Sequence, residues 1–162
     1  MTEKVIEREL ASLVKRGGVY NNVPGINSKE LLAAVINCLP SIPSLDPNEL
    51  YREILEREAL VSTGIGRGIA LPHPRNLMLG EDRKPLVAVV FPAQPLDWNS
   101  PDGNKVHTVF LIISSSTKQH LSTLSKINFL CQQEKFYSLI EERALEEDII
   151  AAIMEAETKW KE

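Results

Sequence analysis

The sequence predicts an α/β domain built on a mixed sheet, and three observations carry that prediction. Two apolar runs of strand length, Leu86 to Phe91 and Val106 to Ile113, lie in the middle of the chain. Helical apolar spacing occupies the segments on both sides of them. No linker, repeat or low-complexity tract divides the 162 residues, a length that suits one domain spanning 1–162.

The elements follow in order. Residues 3–16 place Val5, Ile6, Leu10, Leu13 and Val14 at helical spacing, and Gly17-Gly18 stops that helix. Val19 to Val23 reads as a short extended piece ended by Pro24-Gly25. A second helix starts near Asn27, with Glu30 three residues on as a capping box, and Leu32, Val35, Ile36 and Leu39 form its stripe. In Asp46-Pro-Asn-Glu49 the aspartate caps, the proline suits the first helical position, and the helix should reach about Arg57 or Glu58. Ser62 to Arg75 holds three glycines and two prolines, so it reads as a shaped loop around a short Ile69-Ala-Leu71 strand.

Pro92 to Gly103 is a turn-rich connection between the two apolar strands. Thr117 can cap a long helix that carries Leu121, Leu124, Ile127, Leu130 and Cys131 on one side. A shorter helical piece covers about 136–140. The last helix, about 145–158, turns Leu145, Ile149, Ile150, Ile153 and Met154 inward.

Composition excludes several classes. Apolar residues make up 43% and charged residues 25%, which is ordinary for a globular protein and not for a disordered one. No apolar run is long enough to span a bilayer, and the N-terminus has no secretory apolar region, so a cytoplasmic protein without direct membrane insertion is expected. A net charge of -4 and a pI near 5.5 argue against nucleic acid as a partner. Cys38 and Cys131 lack metal-ligand spacing and read as reduced, buried thiols.

Gly64-Ile-Gly-Arg-Gly68 lacks the Gly-Lys-Ser/Thr of a P-loop and the spacing of a dinucleotide fingerprint. It reads as a tight turn that needs positive φ or close backbone approach. In Pro72-His73-Pro74, the two prolines hold the histidine backbone extended and present it on a stiff segment. Arg57, three after Ile54 and seven after Leu50, shares the apolar face of its helix. A guanidinium there needs an anion or several acceptors, and an ion pair with a nearby carboxylate is the plainer alternative.

His120 lies in the first turn of its helix, with Leu124 and Ile127 on the same face. It is either a hydrogen-bonded core histidine or a group set to meet an anion at a helix N-terminus. His107, with opposite parity to Val106 and Thr108, reads as a packing residue. Ser114, Ser115, Ser116 and Thr117 offer hydroxyls, but no nucleophile elbow is present, and nothing in the spacing gathers three histidines around a metal.

Arg57-Glu-Ala-Leu-Val-Ser-Thr-Gly-Ile-Gly-Arg-Gly-Ile-Ala-Leu-Pro-His73 resembles the core motif of fructose/mannitol-type enzyme IIA proteins of the phosphoenolpyruvate-dependent phosphotransferase system. The nitrogen-regulatory enzyme IIA proteins are one branch of that family. Gln94-Pro-Leu-Asp-Trp98, Asp102-Gly-Asn-Lys-Val106 and His120-Leu-Ser-Thr-Leu124 resemble its later motifs, so the resemblance covers about 5–157.

The resemblance implies a three-layer α/β/α domain with a small mixed sheet, and a phosphohistidine carrier. His73 would accept the phosphoryl group on Nε2 from an HPr-type phosphocarrier. It would pass the group to an enzyme IIB partner or hold it as a signal for a regulatory target, acting in trans, with the nitrogen-regulatory role favoured over a sugar-transport subunit. Arg57 and His120 would stabilise the phosphoryl group. Ser62 and Thr63 would hydrogen-bond near it, and Gly64, Gly66 and Gly68 would let backbone N–H groups approach it. No metal or cofactor is required. Pro74 departs from the small residue that often follows the active histidine in the family, and it removes one backbone donor. A binding module that kept the fold and lost the transfer, and a histidine-based metallohydrolase, are the competing classes.

Overall fold

The computed structural model describes residues 9–80 and 83–160. Helix α1 (Leu10–Gly17) leads into β1 (Val19–Val23), followed by α2 (Ser28–Cys38) and α3 (Pro47–Leu60). A small hairpin, β2 (Gly64–Gly66) and β3 (Ile69–Ala70), precedes the long strands β4 (Leu86–Pro92) and β5 (Thr108–Ile113). Helices α4 (Thr117–Cys131), α5 (Glu134–Glu141) and α6 (Glu146–Trp160) complete the chain.

The five strands form one sheet in the order β1-β4-β5-β3-β2. The pairs β1–β4 and β3–β5 are parallel, whereas β4–β5 and β2–β3 are antiparallel, so the sheet is mixed as expected. Every residue of β4 and β5 is buried. Alternation sorts their side chains onto two cores. Val87, Val89, Phe91, Phe110 and Ile112 pack with α1, α4, α5 and α6. Leu86, Ala88, Val90, Val109, Leu111 and Ile113 pack with α2 and α3. Both faces are covered, which is why these strands read as unbroken apolar runs, and the result is the expected three-layer arrangement.

Local signals in the sequence act as expected at several helix starts. Asn27 Oδ1 accepts from Glu30 N at 2.9 Å, and Glu30 answers one residue earlier than a regular capping box by accepting from Ile26 N. Asp46 Oδ1 accepts from Asn48 N, with Pro47 at the first helical position. At α4 the cap is Ser116, which accepts from Gln119 N, and not Thr117. Gly17 lies so close to β4 that a side-chain Cβ there would sit 2.0 Å from the Val87 carbonyl oxygen.

Other expectations need correction. Val5 and Ile6 lie outside the described residues. Helix α3 runs on to Leu60. Gly64–Gly66 is a strand rather than a loop, because its ladder partner is β3 across the turn. Strand β5 begins at Thr108, since Val106 forms a separate bridge with Leu96. Leu121, Leu145 and Met154 are exposed, with Thr123 taking an inward position on α4. Cys38 ends α2 in solvent. Cys131 is buried, and that burial pushes its thiol up to about 12, so it is an unreactive packing group.

Candidate functional site

The parallel pairing of β3 with β5 continues past the end of β3. Ile112 N donates to Pro72 O at 3.0 Å, and Leu71 N donates to Thr63 O at 3.0 Å. The segment Leu71-Pro72-His73 therefore runs alongside the carboxyl end of β5. His73 emerges where β5 turns into α4, and His120 stands in the first turn of that helix. The site thus lies at the carboxyl ends of parallel strands, where α/β sheets commonly hold ligands.

His73 Nδ1 lies 2.9 Å from the Leu71 carbonyl oxygen. A carbonyl only accepts, so Nδ1 donates and Nε2 carries the lone pair. The His73 and His120 ring centroids are 4.6 Å apart, with the planes inclined at 56°. His120 Nδ1 lies 2.8 Å from Ser114 Oγ. Arg57, half-buried on α3, donates from Nη1 to Val61 O at 2.6 Å. It stands at the border of the cleft and not in the interior to which its helical spacing pointed.

The cleft these groups line has a volume of about 210 Å³, and Pro74, Asn76, Leu77 and Ser114 complete much of its wall. The wall after His73 is strapped to α3. Arg75 N donates to the Glu53 carbonyl, and Asn76 donates to the buried Glu53 carboxylate from its backbone N at 2.9 Å and its side chain at 3.1 Å.

Burial, with help from nearby positive charge, shifts both imidazoles toward the neutral form. Burial lowers the His73 pKa below the ordinary 6.5. The Leu71 carbonyl works against that shift, Arg57 adds to it and Glu58 opposes it. Burial also lowers His120, to about 4, reinforced by His73 and Arg57. The site is a cationic and neutral pocket able to receive an anion next to an unprotonated ring nitrogen.

The structure brings Arg57, His73 and His120 together, but Ser62, Thr63, Gly64, Gly66 and Gly68 do not line the cleft. Ser62 Oγ donates to Trp98 O and accepts from Gly64 N. Thr63 donates from its hydroxyl and its backbone N to the Glu58 carboxylate, which also accepts from Trp98 Nε1 at 3.0 Å. The glycines make room for neighbours. A Cβ at Gly64 would lie 2.2 Å from Ser100 Oγ, and one at Gly68, where φ is +80°, would lie 2.3 Å from the His107 ring. Gly66 also has positive φ. His107 packs on Tyr137, its Nδ1 paired with Thr108 Oγ1 and its Nε2 with the Tyr137 hydroxyl. Among the described residues no group of three or more His, Cys, Asp or Glu is placed to hold a metal ion.

Two contributors escaped the sequence reading. Glu53 lies four residues before Arg57 on the same helical face, a spacing that was available. The Ser114 contact depends on the β5–α4 turn, and a run of three serines gave no means of choosing among them.

Comparison with known proteins places these features in context. Residues 12–156 match the family model "Phosphoenolpyruvate-dependent sugar phosphotransferase system, EIIA 2". A nitrogen regulatory protein of Pseudomonas aeruginosa is 32% identical over 121 residues, covering 73% of this chain and 77% of the relative. The fructose-specific EIIABC component of Bacillus subtilis is 28% identical over 148 residues, 90% of this chain but 23% of that longer protein. The crystal structure of nitrogen regulatory protein IIA-Ntr from Neisseria meningitidis shares the fold, with a TM-score of 0.75 at 23% identity over 92% of this chain and 99% of that one. The enzyme IIA chain in an Escherichia coli complex of mannitol IIA with phosphorylated mannitol IIB aligns with a TM-score of 0.60 at 17% identity, over 83% of this chain and 94% of that one.

Proposed function

The chain belongs to the EIIA 2 family of the phosphoenolpyruvate-dependent sugar phosphotransferase system, whose members are phosphotransferase components that carry phosphoryl groups on histidine, and from that premise we propose that His73 Nε2 is the acceptor atom. One observation carries the assignment. The Leu71 carbonyl takes the Nδ1 proton of His73, so the nitrogen left with a lone pair is Nε2.

In the reaction, Nε2 attacks the phosphorus of a phosphohistidine on an HPr-type carrier protein. The new N–P bond forms as the donor's N–P bond breaks, and the donor nitrogen recovers its electron pair. Phosphoryl transfer of this kind has a loose transition state and is served by positioning and charge. Leu71 O aims the ring and keeps the Nδ1 proton. Arg57 supplies a fixed positive charge with N–H groups beyond the one given to Val61. His120 supplies a neighbouring neutral ring. The Glu53 strap holds the Pro74–Asn76 wall in place.

The surroundings of the cleft suit a protein as donor and as acceptor. Leu77 lines it, Leu121 follows His120, and Leu60 and Val61 end the helix that carries Arg57. All four are more than half exposed. Single exposed apolar residues are ordinary, but one in the cleft wall and three beside the segments that carry Arg57 and His120 make a surface for transient docking. The acceptor is an enzyme IIB partner or a regulatory target. Similarity to nitrogen regulatory proteins over most of their length favours the regulatory role. The fructose-specific relative supports sugar transport as the second reading. The protein acts in the cytoplasm, in keeping with the lack, among the described residues, of any helix long and apolar enough to cross a membrane.

The test is phosphorylation by phosphoenolpyruvate, enzyme I and HPr, read by intact mass under neutral conditions. One acid-labile phosphoryl group that disappears in His73→Ala is the expected result. No transfer from several HPr-type donors, or full transfer to His73→Ala, overturns the assignment.

A further inference from the structure

Ser114 follows the last residue of β5, is 5% exposed, and places its hydroxyl oxygen 2.8 Å from His120 Nδ1. Two proton arrangements satisfy that distance. In one, the hydroxyl donates to an unprotonated Nδ1 and the ring proton sits on Nε2. In the other, Nδ1–H donates to the hydroxyl oxygen, and Nε2 is a bare lone pair. A neutral imidazole carries one ring proton, so the choice decides what His120 offers the cleft.

The first arrangement gives the buried hydroxyl proton an acceptor. The second leaves that proton needing another one, and His120 is the hydrogen-bond partner shown for Ser114 Oγ among the described residues. A bare lone pair on Nε2 would also meet the oxygens of a phosphoryl group with repulsion.

We infer that Ser114 is a positioning residue whose hydroxyl donates to His120 Nδ1 and holds the ring proton on Nε2, directed at the phosphoryl group on His73. The inference rests on the carrier reading for its purpose, but not for its geometry. The two histidines thereby hold opposite tautomers. A carbonyl, which only accepts, leaves His73 a nucleophilic Nε2. A hydroxyl, which donates, leaves His120 an N–H. Because burial keeps His120 neutral at physiological pH, its tautomer and not its charge is what the protein must set.

Nitrogen-15 NMR of the full chain near neutral pH reads the tautomer through the two-bond correlations of the His120 ring. The expected wild-type spectrum shows Nε2 protonated and Nδ1 unprotonated. Ser114→Ala is expected to lose that preference and to slow phosphoryl uptake at His73 about tenfold, the loss of one oriented hydrogen bond in the transition state. Ser114→Thr, which keeps the hydroxyl, is expected to restore both. A wild-type ring protonated on Nδ1, or an unchanged His120 spectrum in Ser114→Ala, overturns the inference. The wild-type spectrum decides the direction of the Ser114–His120 hydrogen bond even if a variant fails to fold. Wild-type protein that takes up no phosphoryl group overturns the carrier reading, and with it the purpose assigned to Ser114, while the ring signals judge the tautomer separately.

Discussion

His73 and His120 face each other with ring centroids 4.6 Å apart, although they lie 47 positions apart in the chain. One ring is aimed by the carbonyl of Leu71 and the other by the hydroxyl of Ser114. Among the described residues neither ring has a carboxylate as its hydrogen-bond partner, and the direct contact that favours an imidazolium is that of His73 with the Leu71 carbonyl. Burial and the Arg57 charge push both toward the neutral state.

The pH dependence of phosphoryl uptake follows. A protonated Nε2 has no lone pair, and both rings titrate below the ordinary 6.5. Uptake should therefore decline on acidification with a midpoint below 6.5. A midpoint at or above 6.5 in a pH-scanned single-turnover assay would contradict the lowered His73 value.

The same shifts predict how stability changes with pH. Between 6.5 and about 4 the unfolded chain binds a proton at position 120 that the folded chain refuses. More protons on the unfolded side means that stability is full above 6.5 and drains away as pH falls through this window. Urea midpoints of wild type and His120→Gln should converge in slope at neutral pH, with the variant falling less steeply toward pH 4. Identical pH slopes for the two proteins would count against a depressed His120.

Arg57 is half-buried and tied to Val61 O, so its charge is already in place before an anion arrives. Arg57→Ala should slow phosphoryl uptake about 100-fold, or roughly 2.7 kcal/mol, with thermal stability little changed. Arg57→Lys keeps the charge, loses the planar fork, and should fall between the two. Uptake by Arg57→Ala at the wild-type rate would remove Arg57 from the mechanism.

Glu157 tests the fold independently of function. Its buried carboxylate accepts from Leu10 N and Ala11 N at 2.9 Å each and pairs with Lys126 at 3.4 Å, clamping the start of α1 to α6. Glu157→Ala leaves two buried N–H groups without that acceptor and should cost about 2–4 kcal/mol in urea unfolding. Glu157→Gln retains one acceptor oxygen and should cost less. A loss within experimental error for Glu157→Ala would show that water replaces the clamp.

Much of this molecule was legible because its signals are local. Asn27 and Asp46 announce helix starts within three residues, and the prolines around His73 dictate its extended backbone without any tertiary help. The errors have a common origin. Leu121, Leu145 and Met154 sit on the margins of apolar stripes, where the neighbouring layer decides whether an apolar residue is covered. Gly64–Gly66 becomes a strand only because β3 folds back beside it. The glycines and hydroxyls of 62–68 lay close in sequence to His73, yet the glycines pack the hairpin against Ser100, Asp102 and His107, and the hydroxyls of Ser62 and Thr63 bind Trp98 and Glu58.

By itself the sequence determined the α/β plan, the two buried strands and the histidine held between two prolines, together with the motif that ties it to Arg57 and His120. The plan, the strands and the held histidine follow from periodicity and backbone restriction, which act over a few residues, and the tie to Arg57 and His120 comes from the resemblance to the enzyme IIA family. The tertiary structure alone decided which hydroxyl meets His120, which carboxylate straps the wall of the cleft, and which carbonyl holds the Nδ1 proton of His73. The Glu53 strap joins α3 to a segment 23 residues away, and the other two contacts, over two and six residues, depend on how the chain folds at the end of β3 and in the β5–α4 turn.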